Sequence, residues 1–382
     1  MTPQPASRSE GRSVLVLSEF PPPFGGLTVH SERLCETLAQ RGWTVRRLSP
    51  PSPPGPGVRR LRRVRILRDQ LRFIGRLFFT SHDLLHDHIS TYWVGAAGTS
   101  GLIWTLPRLL ALRWNRTPWV VTCGNGLLPA QLAKRPGWLR TIFRRLYAGA
   151  AWGIAKNEPI RAAFCELGLD ERASVVGTFL QPLVPSAAPP LPNDVERFLS
   201  AHPLCVMTAT FRFEPLYHLH DVVRAVGWVR SHARENGLGG QVGLLAFASM
   251  AEDPEGAATF RAALEQAGIA EHVLVLRDVD NALQVMERAA LFVRATDFDG
   301  DSNSVKEAMM LGVRVLATDL PGRPPGVDLI DRSDLAELGP RVLQLLQTVD
   351  PDRLEANRAF IARDIQRNAD DIVAVYERVC GG

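Results

Sequence analysis

At 382 residues, with 46% apolar and 22% charged side chains, the chain is long enough for two cores and too apolar for wholesale disorder. Five cysteines without a CxxC pair or metal-ligand spacing exclude a disulfide framework and fit reduced thiols in a cytoplasmic protein. The net charge of +4 is mild, but eight arginines and one acid fall between residues 59 and 76.

Residues 1–13 are polar and lack an apolar stretch, so they are expected to be a disordered leader rather than a secretory signal. From there apolar strands alternate with amphipathic helices. Strand 14–18 precedes helix 28–40, which stops at Gly42; strand 44–48 leads into a Pro-rich loop. The arginine-rich stretch reads as a helix over 65–79, either a solvated face or a surface for an anionic membrane or acidic acceptor. With no aromatic-and-basic platform or recognised motif beside the arginines, it does not read as a nucleic-acid surface. Strand 83–88 is followed by an apolar helix over 93–114, expected to be buried because Pro107 and Arg108 interrupt it. Strand 119–122 enters a Gly124-Asn125-Gly126 turn, and short strands at 152–155 and 174–177 flank a helix at 159–167.

Residues 181–193 hold five prolines and almost no charge, the signature of a linker. Beyond it the alternation resumes with strands at 205–209, 242–247, 273–276, 291–294 and 313–317. Helices are expected at 219–234, 255–267 and 364–379. This order implies two parallel sheets covered by helices on both faces, with ligands at the strands' carboxyl ends in a cleft.

The stretch 296–326 carries the most chemistry. Asp299 and Glu307 flank a polar loop, Gly300-Asp301-Ser302-Asn303, that runs into a helical pattern. A loop and helix N-terminus after a strand offer backbone N–H groups to an anion. An acid one turn into that helix can reach a ribose and one at its mouth a sugar, the layout of a nucleotide-sugar site.

Five segments, in order, resemble the family 4 glycosyltransferases: SEFPPPFGGLTVHSERLCETLAQRGWTV (18–45), HDLLHDH (82–88), FRFEPLYHLHDVVRAV (211–226), DGDSNSVKEAMMLGVRVLATD (299–319) and DIVAVYERV (371–379). The resemblance implies the α/β GT-B fold, two Rossmann-like doubly wound domains facing a central cleft. Residues 1–183 would form the acceptor-side domain, 184–200 the linker, 201–362 the nucleotide-sugar domain, and 363–382 a helix returning to the first domain. It implies transfer of a sugar, with retention, from a nucleoside diphosphate to an acceptor hydroxyl, in cell-surface polysaccharide or glycolipid assembly. A natural-product acceptor is the alternative.

By the same resemblance Glu307 would bind the ribose and Asp299 would sit beside the donor sugar. The amides of Gly300, Asp301, Ser302 and Asn303 would cradle the diphosphate, Arg212 would neutralise it, and Gly25 and Gly26 would add amides. His30, His88 and Asn125 are acceptor-side candidates, although Asn125 on its own reads as turn chemistry. His86 and His88 are expected to face opposite ways, one of them a core histidine and His88 in the cleft. No metal or cofactor is expected, because oriented amides and fixed cations suffice for a leaving diphosphate.

Three positions depart from the family pattern. Tyr217, among the donor-binding candidates, stands where a lysine is usual; it can donate one hydrogen bond to a phosphate but brings no charge. Asp299 replaces a glutamate, and Gly124 replaces a histidine. His30, His88, His218 and His220 are the candidates to compensate. The departures support a rival reading, a non-catalytic sugar- or partner-binding protein on the same scaffold. The protein is expected in the cytoplasm, with peripheral contact at the inner membrane face through residues 59–76.

Overall fold

A computed structural model describes residues 11–22, 24–51, 60–89, 98–178, 180–182, 190–210, 213, 215–232, 235, 237–238, 240–248, 254–277 and 282–381. The chain divides into two compact units. One comprises residues 1–21, 27–181 and 366–382, the other residues 22–26 and 182–365.

The first unit runs β1 (Ser13–Leu17), α1 (Gly26–Gln40), β2 (Thr44–Leu48), α2 (Arg60–Phe79), β3 (Leu84–Ile89), α3 (Gly98–Trp114) and β4 (Trp119–Cys123). It continues through α4 (Leu128–Ala133), α5 (Gly137–Tyr147), β5 (Trp152–Ala155), α6 (Glu158–Phe164) and β6 (Ala173–Val175). The six strands are parallel in the order β2-β1-β3-β4-β5-β6. Alternate residues of one strand face opposite sides. Thus Leu15, Leu17, Leu85 and Val121 join one core with Phe143, Tyr147 and Phe164. Val14, Val16, Leu84, Val120 and Ile154 join the other with Leu34, Leu38, Ile372 and Tyr376. Burial on both faces is why these strands read as continuous apolar runs.

The second unit runs α7 (Asn193–Ala201), β7 (Leu204–Thr210), α8 (Leu219–His232), β8 (Val242–Ala248), α9 (Pro254–Ala267), β9 (Val273–Arg277) and α10 (Ala282–Glu287). After these come β10 (Leu291–Arg294), α11 (Asn303–Met310), β11 (Val315–Thr318), β12 (Asp328–Ile330), α12 (Leu338–Gln347) and α13 (Pro351–Gly381), whose residues from 366 onward belong to the first unit. Its sheet is parallel in the order β12-β11-β10-β7-β8-β9. Val206, Leu244, Val293 and Leu316 pack there on Val222 and Val226 of α8 and Val342 of α12.

Two expectations need correction. Helix α7 begins inside the stretch expected as linker, with Val195 and Leu199 buried one turn apart behind Pro192. The last helix has 31 residues and starts at Pro351, well before 364. Asp350 caps it by accepting from the Arg353 amide at 3.0 Å, and proline fits the first helical position. Among the described residues no helix is long and apolar enough to cross a membrane. Residues 93–97, expected at the start of α3, lie outside those described.

Candidate functional site

In a parallel sheet all carboxyl ends lie along one edge, and in the second unit that edge collects the loops after β7, β10 and β11. The loop after β10 is polar and cannot continue the strand, so it turns at Gly300 and enters α11. Ser302 caps α11 with extended φ/ψ but makes no side-chain cap bond. The first-turn amides, at the positive end of the helix dipole, are therefore not claimed by that hydroxyl. Asn303 Nδ2 donates to the Gly26 carbonyl at 3.1 Å, which brings the Gly25-Gly26 segment to this loop. Glu307 sits half-buried one turn into α11.

Asp299 is held between two arginines. Arg294 grips it in bidentate fashion, Nε to Oδ2 at 3.1 Å and Nη2 to Oδ1 at 3.0 Å, and Arg323 Nη1 donates to Oδ2 at 2.9 Å. Burial alone would raise this carboxyl, but the Arg294 and Arg323 charges outweigh it and hold it below the ordinary aspartate range. Each arginine is fixed in turn. Arg294 Nη1 donates to the Ala209 carbonyl at 2.6 Å, and its guanidinium lies 5.4 Å from the centre of the Tyr217 ring. Arg323 Nε donates to the Thr318 carbonyl at 3.1 Å, and its Nη2 is buried without a hydrogen-bond partner among the described residues. Tyr217, expected as a phosphate donor, thus presents its ring to a cation. Within the cluster two guanidiniums face one carboxylate in a desolvated place, and the nearby Asp301 charge also acts on Arg323.

Asp301 serves a different purpose from the one expected of its neighbours' amides. Its side chain accepts from Lys306 Nζ at 2.7 Å, and the same ammonium donates to Asp364 of α13 at 2.8 Å. All three side chains are almost fully buried. Burial would lower the Lys306 ammonium, yet the two carboxylates raise it above its usual value. This triad pins the loop and α11 to α13.

Ahead of α8 lies a histidine cluster. His218 adopts φ 46°, the one positive-φ residue other than glycine among those described. Its Nδ1 is 2.9 Å from Asp221 Oδ2 and its Nε2 is 2.9 Å from Asp297 Oδ1. His220 Nε2 lies 3.2 Å from the same Asp221 oxygen, and Arg224 donates to the other. Burial, with lesser effects of Arg224 and His218, holds His220 below its ordinary range against the pull of Asp221. Arg212 lies outside the described residues.

In the first unit His86 and His88 share a face, contrary to expectation. Residues two apart on a strand point the same way, and their rings stack with centroids 6.1 Å apart. His86 is the core histidine, with Nδ1 against the Tyr376 hydroxyl and Nε2 2.7 Å from Thr122 Oγ1. His88 Nδ1 is 3.3 Å from Ser31 Oγ, and its ring meets that of His30 edge-on at 5.2 Å. His30 Nδ1 pairs with the Thr178 carbonyl at 2.7 Å. Burial, reinforced by the Lys156 charge, pushes His86 down to about 3 and the other two well below their usual value. A Cβ on Gly124 would lie 3.8 Å from His88 Nε2, so that turn adjoins His88. Asn125 Oδ1 accepts from the Leu127 amide at 2.7 Å, as in a side-chain turn.

Arg294, Arg323 and Lys156 were not singled out from sequence. An arginine ending a strand in the run before two acids, and another in the Gly/Pro turn after them, are the signals that were available.

No protein-family model matches the chain, and no curated protein matches its sequence. Solved structures do match over nearly full length. Anabaena Alr3699/HepE in complex with UDP and glucose is 15% identical, with 97% of this chain and 98% of that one covered and a TM-score of 0.61. Sucrose-phosphate synthase from Thermosynechococcus elongatus is 16% identical over 96% and 99%, with a TM-score of 0.66. The alpha,alpha-trehalose-phosphate synthase (UDP-forming) from Burkholderia xenovorans, in complex with glucose-6-phosphate, is 11% identical over 97% and 100%, with a TM-score of 0.68. At such identities the likeness establishes the fold, which is GT-B: two Rossmann-like units, each with a six-stranded parallel sheet.

Proposed function

We propose that this protein is a retaining glycosyltransferase of the family 4 type, moving a sugar from a nucleoside diphosphate to an acceptor hydroxyl. The observation that carries the proposal is the pair of fixed guanidiniums, Arg294 and Arg323, held by Asp299 immediately ahead of the N-terminus of α11. Diphosphate departure concentrates negative charge, and fixed cations with oriented amides stabilise it without reorganisation. That the solved structures of this fold hold UDP, glucose or glucose-6-phosphate supports the same reading.

In this mechanism the acceptor oxygen attacks the anomeric carbon on the face from which the diphosphate departs. The bond from that carbon to the diphosphate oxygen breaks, the bond to the acceptor forms, and the acceptor proton passes to the leaving phosphate. Glu307 holds the ribose, and the amides of residues 300–303 hold the diphosphate, aided by Arg212. Asp299 positions the two arginines instead of gripping the sugar alone, because both its oxygens already accept from guanidiniums. Gly25 and Gly26 belong to the donor side, His30 and His88 to the acceptor side. No metal takes part in this step.

We assign the acceptor to a membrane-associated glycan or glycolipid. Leu67 and Leu71 of α2 and Leu110 and Trp114 of α3 are exposed one turn apart on each helix, and Arg68, Arg72 and Arg76 are exposed beside the first pair. Apolar side chains flanked by arginines suit an anionic bilayer surface.

The test is turnover of a nucleotide-sugar panel, UDP-glucose first, with release of the free nucleotide as readout. The proposal expects release for at least one donor and a loss of about tenfold or more in kcat/KM for Glu307→Ala. No release from any donor, with or without a lipid-linked or sugar-phosphate acceptor, favours the non-catalytic binding protein.

A further inference from the structure

The histidine cluster ahead of α8 is not used by the transfer chemistry, and its geometry has a use of its own. His218 Nδ1 and His220 Nε2 both face one oxygen of Asp221, at 2.9 and 3.2 Å, and all three atoms lie within 4.8 Å of one another. Two ring nitrogens converging on one carboxylate oxygen either each donate an N–H to it or share a cation with it.

We propose that His218, His220 and Asp221 form a binding site for a divalent transition cation of the zinc class. Zinc binds histidine nitrogen and carboxylate oxygen at about 2.0–2.2 Å, which places tetrahedral ligand atoms roughly 3.3–3.5 Å apart. The two nitrogen-to-carboxylate separations, 2.9 and 3.2 Å, lie close to that range, and the two ring nitrogens lie within 4.8 Å of each other.

The surroundings match those of metal ligands. A ligating histidine usually gives its other ring N–H to a carboxylate, which fixes the tautomer and ring orientation. His218 Nε2 does this to Asp297 Oδ1 at 2.9 Å, leaving the Nδ1 lone pair for the metal. Arg224 occupies Asp221 Oδ1, so Oδ2 is the oxygen left for the cation. His218 holds its ring in place from a φ of 46°, a backbone region that side-chain-bearing residues seldom adopt. Neither imidazole is deeply buried, at 17% and 27% exposure, so a cation and a fourth, exchangeable ligand can enter. Two nitrogens and one oxygen favour zinc, cobalt(II) or nickel(II) over magnesium or calcium, which take oxygen ligands.

The cation would lock two loops together. Asp297 also donates its amide to the Leu216 carbonyl at 2.9 Å. The site therefore joins the turn carrying Tyr217 to the loop carrying Asp299.

The experiment uses full-length protein freed of metal by a chelator, without any nucleotide sugar, titrated with zinc chloride by calorimetry. Cobalt(II) absorption serves as a second readout of coordination geometry. The proposal expects one high-affinity equivalent of zinc per chain and a tetrahedral cobalt spectrum. It expects His220→Ala and Asp221→Asn to lose on the order of a hundredfold in affinity, and Asp297→Asn about 10–100-fold. Circular dichroism confirms that each variant is folded; Asp221→Asn keeps the side-chain volume and guards against a folding failure. Zinc affinity unchanged in both His220→Ala and Asp221→Asn, or no binding to the wild type, overturns the proposal and leaves the cluster as a histidine–carboxylate ion pair. Failure of the glycosyltransferase reading does not alter these outcomes, because no donor enters the titration.

Discussion

Asp299 shows how one side chain's meaning depends on residues far away in sequence. Its carboxylate and Glu307 were recognisable from their spacing around a Gly-Asp-Ser-Asn loop. The partners of Asp299 were not, because Arg294 and Arg323 meet it only once β10 and β11 are in register, with Arg294 opposite Ala317. Pattern reading sees neighbours along the chain, whereas an ion pair is made by the sheet. Replacing Asp299 by asparagine would leave two buried guanidiniums without their counter-charge, so we expect a loss of roughly 3–5 kcal/mol in urea denaturation. The sign of its pH dependence follows from its lowered folded-state value. Its contribution is present above the unfolded value near 3.8 and is lost as pH falls through the folded one. Stability of the wild type should therefore drop below about pH 4 more steeply than that of Asp299→Asn. Parallel pH profiles for the two proteins would contradict this.

Among the elements, α13 was only half legible. Its final turns carry Ile372, Val373 and Tyr376 at helical spacing and were expected from residue 364 onward. Its first half buries Asn357 and Ile361, and Asp364 and Asn368 continue this largely polar face, which hydrophobic periodicity does not detect. Such a face needs partners, and Asp364 finds one in Lys306. Lys306→Met would leave Asp301 and Asp364 buried without their cation, at a cost of about 3–5 kcal/mol. Because the Lys306 value is raised above 10.5, its contribution is complete below that pH and disappears as pH rises through the folded value. A chemical-denaturation series into alkaline pH checks both statements; a variant as stable as wild type would contradict them. Helix α2 illustrates the opposite case, since its arginine run was plain in the sequence but its exposed leucines were not. Sedimentation with vesicles containing phosphatidylserine should show binding that weakens with salt. Arg68→Ala with Arg72→Ala and Arg76→Ala should reduce it by about 3 kcal/mol, at roughly 1 kcal/mol per arginine. Equal binding to neutral vesicles would exclude a charge-led membrane surface.

For the molecule as a whole, strand–helix alternation was enough to expect two parallel sheets, because strands buried on both faces leave uninterrupted apolar runs. Those runs survive at 11–16% identity to solved proteins of the same fold, since a core tolerates many apolar combinations. Function depends on fewer residues and so drifts more visibly. Here Arg294, Arg323, the Lys306 triad and the histidine cluster gather around the loops after β7, β10 and β11. The central claim is that the carboxyl edge of the second sheet binds a nucleotide sugar. Its most direct test is a thermal-shift screen of wild type and Glu307→Ala against UDP-, GDP-, dTDP- and ADP-sugars. A ligand at a hundredfold its dissociation constant stabilises the folded state by about 2.7 kcal/mol. The account predicts a shift with one nucleotide class that disappears in Glu307→Ala; a shift of equal size in the mutant would place the donor site elsewhere and contradict it.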